Sequence, residues 1–262
     1  MVDYVIAGGV DYIVALGSTA ETATLSLKER DEVLRFIINR TNGRVPIVAG
    51  MGSNNTADLV EQLHSFNLDG VVAILSVVPY YNKPSQEGIY RHFMAVADAS
   101  PVPVIIYNVP GRTGLNMTAA TTLRLAHATP KIVAIKEACG NIEQMQAILD
   151  GRPEDFLVLS GDDGITVELV KRGGDGVISV AANAFPERFC GCVHNAMKGN
   201  ITLAESEIAE LTPAIDLLFK EGNPTGVKAM TAAMGITRSE VRLPLVEGTE
   251  NLAADIKSAI AR

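Results

Sequence analysis

Short apolar runs and helical segments alternate along most of this chain, and this alternation constrains the fold more than any other sequence feature. The apolar runs are rich in β-branched residues and are bounded by loop residues, which is typical of buried strands. They lie at about 12–16, 46–50, 71–78, 102–107, 132–138, 156–159 and 177–180. Seven such repeats without a hairpin signal predict parallel strands that are buried on both faces.

Two architectures fit this pattern, a (β/α)8 barrel and an open doubly wound sheet. No Gly-x-Gly-x-x-Gly motif follows an early strand, so the dinucleotide signature of the open sheet is missing. The reactive side chains follow the strands, where a barrel carries its active site. We therefore predict an α/β fold, a TIM (β/α)8 barrel over 1–198, with a helical region over 199–262. The chain begins inside what should be the first helix, so the first strand is expected to be missing.

The composition argues against several classes of function. Apolar residues make up 47% and charged residues 20%, as in soluble globular proteins, and the net charge of −8 argues against nucleic-acid binding. No apolar stretch reaches transmembrane length, and the N-terminus lacks the features of a signal peptide. The cysteines at 139, 190 and 192 form neither a disulfide framework nor a zinc pattern. We expect a cytoplasmic protein with reduced thiols, no metal and no membrane partner.

One lysine, Lys136, lies near the end of the predicted strand 132–138, and no other lysine lies inside a comparable run. Burial of an ammonium group is costly or lowers its pKa. A lysine of lowered pKa is the nucleophile that forms a Schiff base with a carbonyl. The alternative is a lysine whose amine reaches water at the end of the strand.

The loops after the other strands carry side chains that suit such chemistry. A tyrosine such as Tyr107 can relay protons, and the loop at Ser18 and Thr19 can donate hydrogen bonds to a carboxylate. Arg112 can bind a second carboxylate with two hydrogen bonds. Each residue alone has an ordinary structural role open to it, but together with Lys136 they favour Schiff-base chemistry on an α-keto acid.

The remaining polar signals are interpreted as structural. The four histidines fall on helices without ligand spacing, and Asp162-Asp163 precedes a helix, where carboxylates cap the first turn better than they hold a metal. Two capping boxes are predicted, Ser26 with Glu29 and Asn141 with Gln144.

Five loop motifs carry a resemblance to a known family. They are Gly17-Ser18-Thr19-Ala20-Glu21, Pro79-Tyr80-Tyr81-Asn82-Lys83-Pro84, Tyr107-Asn108-Val109-Pro110-Gly111-Arg112-Thr113-Gly114, Ile135-Lys136-Glu137-Ala138 and Leu159-Ser160-Gly161-Asp162-Asp163. With their spacing, they resemble the dihydrodipicolinate synthase (4-hydroxy-tetrahydrodipicolinate synthase) family along essentially the whole chain. The resemblance implies an N-terminally truncated, pyruvate-dependent class I aldolase-type lyase. Its substrates would be pyruvate and L-aspartate 4-semialdehyde, in lysine and diaminopimelate biosynthesis.

The resemblance also implies roles for residues that match the motifs. Lys136 would form the Schiff base with pyruvate, and Tyr107 would exchange protons in a relay with Ser18 and Tyr81. The tyrosine at the Tyr81 position crosses from a neighbouring subunit in this family, which implies a dimer as the smallest complete unit and a homotetramer as the usual assembly. No metal or organic cofactor is implied.

The resemblance further implies four substrate-binding residues. Thr19 would hold the pyruvate carboxylate, and Arg112 would bind the carboxylate of the semialdehyde. Gly161 and Ile178 would contribute backbone carbonyls near the lysine.

Two departures from the family pattern bear on activity and regulation. Ser18 stands where threonine is usual, so we expect reduced but nonzero turnover, since serine lacks the methyl that restricts the rotamer. A regulatory lysine site is matched at three positions, Asn54, Asp58 and Tyr80. Leu27 and Arg30 stand where that site has histidines, which predicts weak or absent feedback inhibition.

Two alternatives remain at this point. The first is a related pyruvate aldolase such as an N-acetylneuraminate lyase, which shares the lysine, the tyrosine and a Gly-Ser-Thr loop but not the arginine at Arg112. The second is a catalytically impaired barrel, because a barrel that lacks one of eight strands has unpaired edges.

Overall fold

The computed structural model describes residues 1–260, in which strands and helices alternate as predicted. Within this range the chain forms seven strands: β1 (Ile13–Ala15), β2 (Ile47–Gly50), β3 (Ala73–Val77), β4 (Val104–Asn108), β5 (Ile132–Glu137), β6 (Leu157–Ser160) and β7 (Gly176–Val177). The same range contains twelve α-helices: α1 (Val2–Ala7), α2 (Leu27–Thr41), α3 (Thr56–Ser65), α4 (Gln86–Ala99), α5 (Pro110–Thr113), α6 (Ala119–Ala128), α7 (Ile142–Gly151), α8 (Thr166–Lys171), α9 (Pro186–Met197), α10 (Ile201–Phe219), α11 (Thr225–Ala233) and α12 (Glu250–Ile260). The predicted α/β class is confirmed.

These elements form two compact units. The central unit spans Pro46–Ile178, and the terminal unit combines Met1–Val45 with the segment that begins at Ser179. The predicted boundary between residues 198 and 199 stays a prediction.

The central unit is built on parallel strands in chain order from β2 to β7. All five residues of β4 are buried, as are four of the five in β3, because helices return along a parallel sheet and cover it. Since the strands are parallel, their carboxyl ends share one edge, which brings Asn108, Glu137 and Ser160 to neighbouring positions.

The helices of the central unit attach to the sheet through large buried side chains. Phe93 on α4, Leu125 on α6 and Met145 on α7 are wholly buried. Truncation of a residue such as Phe93 to alanine would cost about 3–5 kcal/mol, because the cavity cannot fully collapse. This packing holds the strand ends in place.

The two predicted capping boxes have different outcomes. The box at Ser26 is present, since Ser26 Oγ accepts from the Glu29 N–H and the Ser26 N–H donates to Glu29 Oε2 at 2.9 Å. The second box is wrong in part. Asn141 Oδ1 caps α7 by accepting from the Gln144 N–H at 3.0 Å, but the Gln144 side chain donates to the Glu137 carboxylate at 3.0 Å instead of returning to Asn141.

The terminal unit is mainly helical, with α10 packed against α9, α11 and α12. Leu211 and Leu218 of α10 and Leu252 of α12 are buried in its core. A side chain at Gly226 would collide with the backbone carbonyl of Leu218. Only glycine therefore lets α11 start so close to the end of α10, and this close start sets the position of the preceding Asn223.

Candidate active site

Lys136 lies beside Tyr107 because the two residues are register partners on adjacent parallel strands. The Lys136 Nζ is 4.3 Å from the centre of the Tyr107 ring. Only 9% of Lys136 and 8% of Tyr107 is exposed. The strand predicted to carry a buried lysine is thus present, and the sheet itself sets this pair.

Burial lowers the pKa of Lys136 from 10.5 to about 8, and the positive charge of Arg112 also lowers it. Such a pKa raises the neutral fraction of the amine at pH 7 about 300-fold over an ordinary lysine. Burial raises the pKa of Tyr107, which keeps its phenol protonated. The pair therefore combines an amine that can act as a nucleophile with a hydroxyl that can donate a proton.

The adjacent carboxylates at 162 and 163 have separate roles. Asp162 is exposed and caps the following turn, with Oδ1 accepting from the Gly164 N–H at 2.9 Å. Asp163 is 1% exposed, and its negative charge raises the pKa of Lys136. The interpretation of the pair as caps is right for Asp162, but sequence reasoning missed the electrostatic effect of Asp163 on the lysine. The only sequence feature that could have indicated this effect was the second aspartate, because one aspartate is enough to cap the turn.

Gly161 leaves room for the lysine side chain. A Cβ at this position would lie 3.0 Å from Lys136 Cε and 2.6 Å from Ala138 Cβ. The Gly161 N–H donates to the Glu137 carbonyl at 2.7 Å, and the Ile178 N–H donates to the Ser160 carbonyl at 2.9 Å. Both residues thus lie at the carboxyl edge of the sheet, and their contribution of carbonyls near the lysine and substrate stays a prediction.

Arg112 lies in the short helix α5, directly after β4, and is an exposed residue. Its positive charge lowers the pKa of Lys136 and opposes part of the rise that burial causes in the pKa of Tyr107. Arg112 therefore acts on the same site. An exposed arginine within electrostatic reach of the lysine is suited to an anionic substrate.

In the terminal unit, the predicted loop forms a 3-10 turn at Ser18–Ala20. Thr19 Oγ1 accepts from Asn223 Nδ2 at 2.9 Å, and Ser18 is exposed. Glu21 anchors this loop by accepting from Lys228 Nζ at 2.7 Å. Sequence reasoning missed Asn223, which lies in the Gly-Asn-Pro break before α11 and carried no chemical signal of its own.

Tyr81 and the predicted regulatory residues lie in the central unit. Tyr81 is 86% exposed and has a φ of 71°, which projects its ring from the loop after β3. Asn54 Nδ2 donates to the Tyr80 carbonyl at 3.2 Å, and Asp58 accepts from Ser53 Oγ at 3.2 Å. The structure therefore joins Asn54 to Tyr80, and regulation by lysine stays a prediction.

Residues 1–260 contain neither a metal-binding cluster nor a membrane-spanning helix. No cluster of three or more His, Cys, Asp or Glu side chains in that range could hold a metal ion. No helix formed by these residues is long and apolar enough to cross a membrane.

Fold and site together define an α/β-barrel enzyme whose strand ends carry a buried lysine next to a buried tyrosine. The model of the dihydrodipicolinate synthetase family matches residues 1–262, and the chain belongs to this family. A 4-hydroxy-tetrahydrodipicolinate synthase from Phocaeicola vulgatus is 52% identical over 246 residues, 94% of this chain and 83% of the relative.

Solved structures of the family have the same fold. Dihydrodipicolinate synthase from Thermotoga maritima is 34% identical with a TM-score of 0.96, over 99% of this chain and 89% of that one. The chloride-inhibited enzyme from Acinetobacter baumannii, solved in complex with pyruvate, is 38% identical with a TM-score of 0.95 over the same shares. The predicted TIM-barrel class with a C-terminal helical region is confirmed, and these names favour the synthase over a sugar-acid lyase.

Proposed function

We propose that this protein condenses pyruvate with L-aspartate 4-semialdehyde to 4-hydroxy-tetrahydrodipicolinate, the product for which its curated relatives are named. The observation that carries the proposal is the buried amine of Lys136, 4.3 Å from the Tyr107 ring. This amine is the nucleophile that a Schiff-base reaction requires.

The first stage is the capture of pyruvate. The neutral Lys136 amine attacks the ketone carbon, and the resulting carbinolamine loses water to form an iminium ion. Tyr107 supplies and accepts protons in these steps, since its phenol is kept protonated by burial. Asp163 supports the positive charge, because its carboxylate favours the cationic nitrogen of Lys136. As the family resemblance implies, Ser18 takes part in the proton relay and Thr19 holds the pyruvate carboxylate.

The second stage forms the carbon–carbon bond. Loss of a proton from the pyruvate methyl gives an enamine, whose carbon attacks the aldehyde carbon of the second substrate. The amine of that substrate then displaces Lys136 from the imine carbon, which closes the ring and frees the enzyme. Arg112, an exposed residue, binds the carboxylate of the semialdehyde through its guanidinium. The backbone carbonyls of Gly161 and Ile178, at the edge of the sheet, lie next to the reacting groups.

The covalent adduct on Lys136 serves as the electron sink, so the proposed reaction needs neither metal nor organic cofactor. We further propose a cytoplasmic homotetramer, a dimer of dimers, in which Tyr81 enters the site of the neighbouring subunit. The 86% exposure of Tyr81 supports this, because a ring so exposed is free to pack on a second copy.

Borohydride trapping tests the first stage. The enzyme is incubated with pyruvate, reduced and mapped by mass spectrometry, and we expect the adduct on Lys136. Lys136→Met should abolish it, whereas Lys131→Met is the matched control. Lys131 precedes the same strand, is exposed, and its Nζ donates to the Asp98 carbonyl at 3.1 Å.

A coupled assay with L-aspartate 4-semialdehyde then tests the second stage. Condensation dependent on both substrates supports the proposal. An intact Lys136 with no adduct contradicts it, and cleavage of a sugar acid in place of condensation would assign the lyase reaction.

A further inference from the structure

Glu137, the residue after Lys136, is a wholly buried carboxylate that the proposed chemistry does not use. Successive residues of a strand point to opposite faces of the sheet. The Lys136 side chain therefore points to the face of the sheet that carries the proposed active site. The Glu137 side chain points to the other face, into the layer between β5 and the helices. A carboxylate in such a place must be fully hydrogen-bonded, because its desolvation is otherwise too costly.

Two side-chain amides and one backbone N–H satisfy this carboxylate. Asn108 Nδ2 donates to Oε1 at 2.9 Å, Gln144 Nε2 donates to Oε2 at 3.0 Å, and the Cys139 N–H donates to Oε1 at 2.9 Å. Burial raises the pKa of Glu137, whereas these hydrogen bonds lower it. The carboxylate thus determines how both amide side chains are oriented.

The same two amides close the segment that carries Arg112. The Met117 N–H donates to Asn108 Oδ1 at 3.0 Å, and Asn108 Nδ2 donates back to the Met117 carbonyl at 3.2 Å. Gln144 Nε2 donates to that carbonyl at 3.0 Å. Asn108 and Met117 are the two ends of the stretch 108–117, so their pairing holds it as a closed loop with Arg112 near its middle.

The number of hydrogens on the two amide nitrogens explains why the carboxylate matters to this loop. An amide nitrogen has two hydrogens. Asn108 directs one to Glu137 and shares the other between Met117 and Asn116, whose Oδ1 is 2.8 Å away. Together with the Met117 carbonyl, the Glu137 carboxylate provides the acceptors toward which Asn108 and Gln144 point their nitrogens. A glutamine at 137 would place a third amide with two donors against them.

We infer that Glu137 is a positioning residue for Arg112: it orients Asn108 and Gln144, and these hold the loop that presents the guanidinium to the second substrate. The inference rests on the proposed function, because it takes Arg112 as the binding residue for the semialdehyde carboxylate. It predicts a specific defect in binding of the second substrate and a normal reaction with the first.

The test compares steady-state constants for the two substrates. Loss of a buried hydrogen-bond acceptor is worth about five- to hundredfold in binding. We expect Glu137→Gln to raise the KM for the semialdehyde by about tenfold, in the lower part of that range. The KM for pyruvate and the borohydride-trapping rate at Lys136 should stay within about twofold of the parent, because Lys136 is held by the strand register rather than by the loop.

A milder variant covers the case in which Glu137→Gln does not fold. Gln144 is only half-buried, and Gln144→Leu removes its donors to Glu137 and Met117 while keeping its size. Gln146→Leu is the matched control on the same helix, since Gln146 Nε2 donates to Asp150 one turn away. We expect the semialdehyde KM to rise in Gln144→Leu and to stay unchanged in Gln146→Leu.

Arg112→Ala, measured in parallel, distinguishes a failure of the inference about Glu137 from a failure of the proposed role of Arg112. If it raises the semialdehyde KM while Glu137→Gln and Gln144→Leu do not, the inference fails and the proposed function stands. If Arg112→Ala leaves that KM unchanged, the role of Arg112 in the proposed function fails and the inference fails with it. Equal losses for both substrates in Glu137→Gln and Gln144→Leu would show a general structural role and overturn the inference.

Discussion

The Lys136 Nζ lies 4.3 Å from the centre of the Tyr107 ring, and the two residues are paired in the register of β4 and β5. A slip of one residue in this register would turn Lys136 to the opposite face of the sheet. The proposed nucleophile and the proposed proton donor are thus held by backbone hydrogen bonds of the core, which is the least mobile part of such a domain. Loops carry most of the residues that are proposed to bind substrate.

The pH dependence of Schiff-base formation should follow Lys136. The charged amine is not a nucleophile, so the rate is low at acidic pH, rises with pH and levels off above the pKa of about 8. Borohydride trapping at constant low pyruvate, from about pH 6 to about pH 11, measures this midpoint. A midpoint near the ordinary lysine value of 10.5 would show that burial does not tune this amine.

Replacement of Asp163 should move that midpoint. Its carboxylate raises the pKa of Lys136, so Asp163→Asn removes a stabilising charge and shifts the midpoint to lower pH. Asp162→Asn is the matched control, because an asparagine oxygen can still accept from the Gly164 N–H and cap the turn. The prediction is contradicted if both variants, or neither, shift the profile.

A methyl group at Gly161 should damage the site through packing. Gly161→Ala places a Cβ 2.6 Å from Ala138 Cβ and 3.0 Å from Lys136 Cε, and overpacking of this kind costs about 1–3 kcal/mol. Chemical denaturation should report that loss, together with slower trapping of pyruvate. Gly191→Ala is the control, since Gly191 lies in α9 and a Cβ added there would have open space around it, so alanine should be neutral or stabilising by about 0.5–1 kcal/mol. Equal stability of the two variants would refute the argument.

Ser18→Thr should increase turnover. Ser18 is exposed on a 3-10 turn, and its hydroxyl has three rotamers open to it, whereas the threonine methyl restricts the choice. Because a better-positioned hydroxyl improves proton transfer, kcat should rise while the fold is unchanged. Steady-state assays with both substrates saturating measure this. Unchanged or lower kcat in Ser18→Thr would argue against a relay role for Ser18.

Free lysine should inhibit weakly or not at all. Asn54 and Tyr80 are joined by a hydrogen bond, but Leu27 is exposed and Arg30 Nε donates to the Leu25 carbonyl, so neither position supplies the histidine that the family resemblance implies for a regulatory lysine site. Initial rates with increasing lysine, compared with the same series of arginine as a control amino acid, measure the effect. Inhibition at micromolar lysine would contradict this prediction.

Much of the fold was predictable because the signals are local. The alternation of strands and helices, the capping box at Ser26 and the strand that carries Lys136 depend on residues a few positions apart. The Gln144 box failed for the opposite reason. Its side chain bonds to the Met117 carbonyl, 27 residues away, and to a buried carboxylate, so tertiary partners outcompeted the local one.

The sequence by itself therefore determined the class of fold, the family and the candidate nucleophile, since strand periodicity and loop motifs are written in consecutive residues. Only the tertiary structure decided which aspartate acts on Lys136, how Asn223 reaches Thr19 across 204 residues, and how Glu137 holds the loop of Arg112. These relationships depend on burial and on hydrogen bonds between distant segments. Neither exists until the chain has folded.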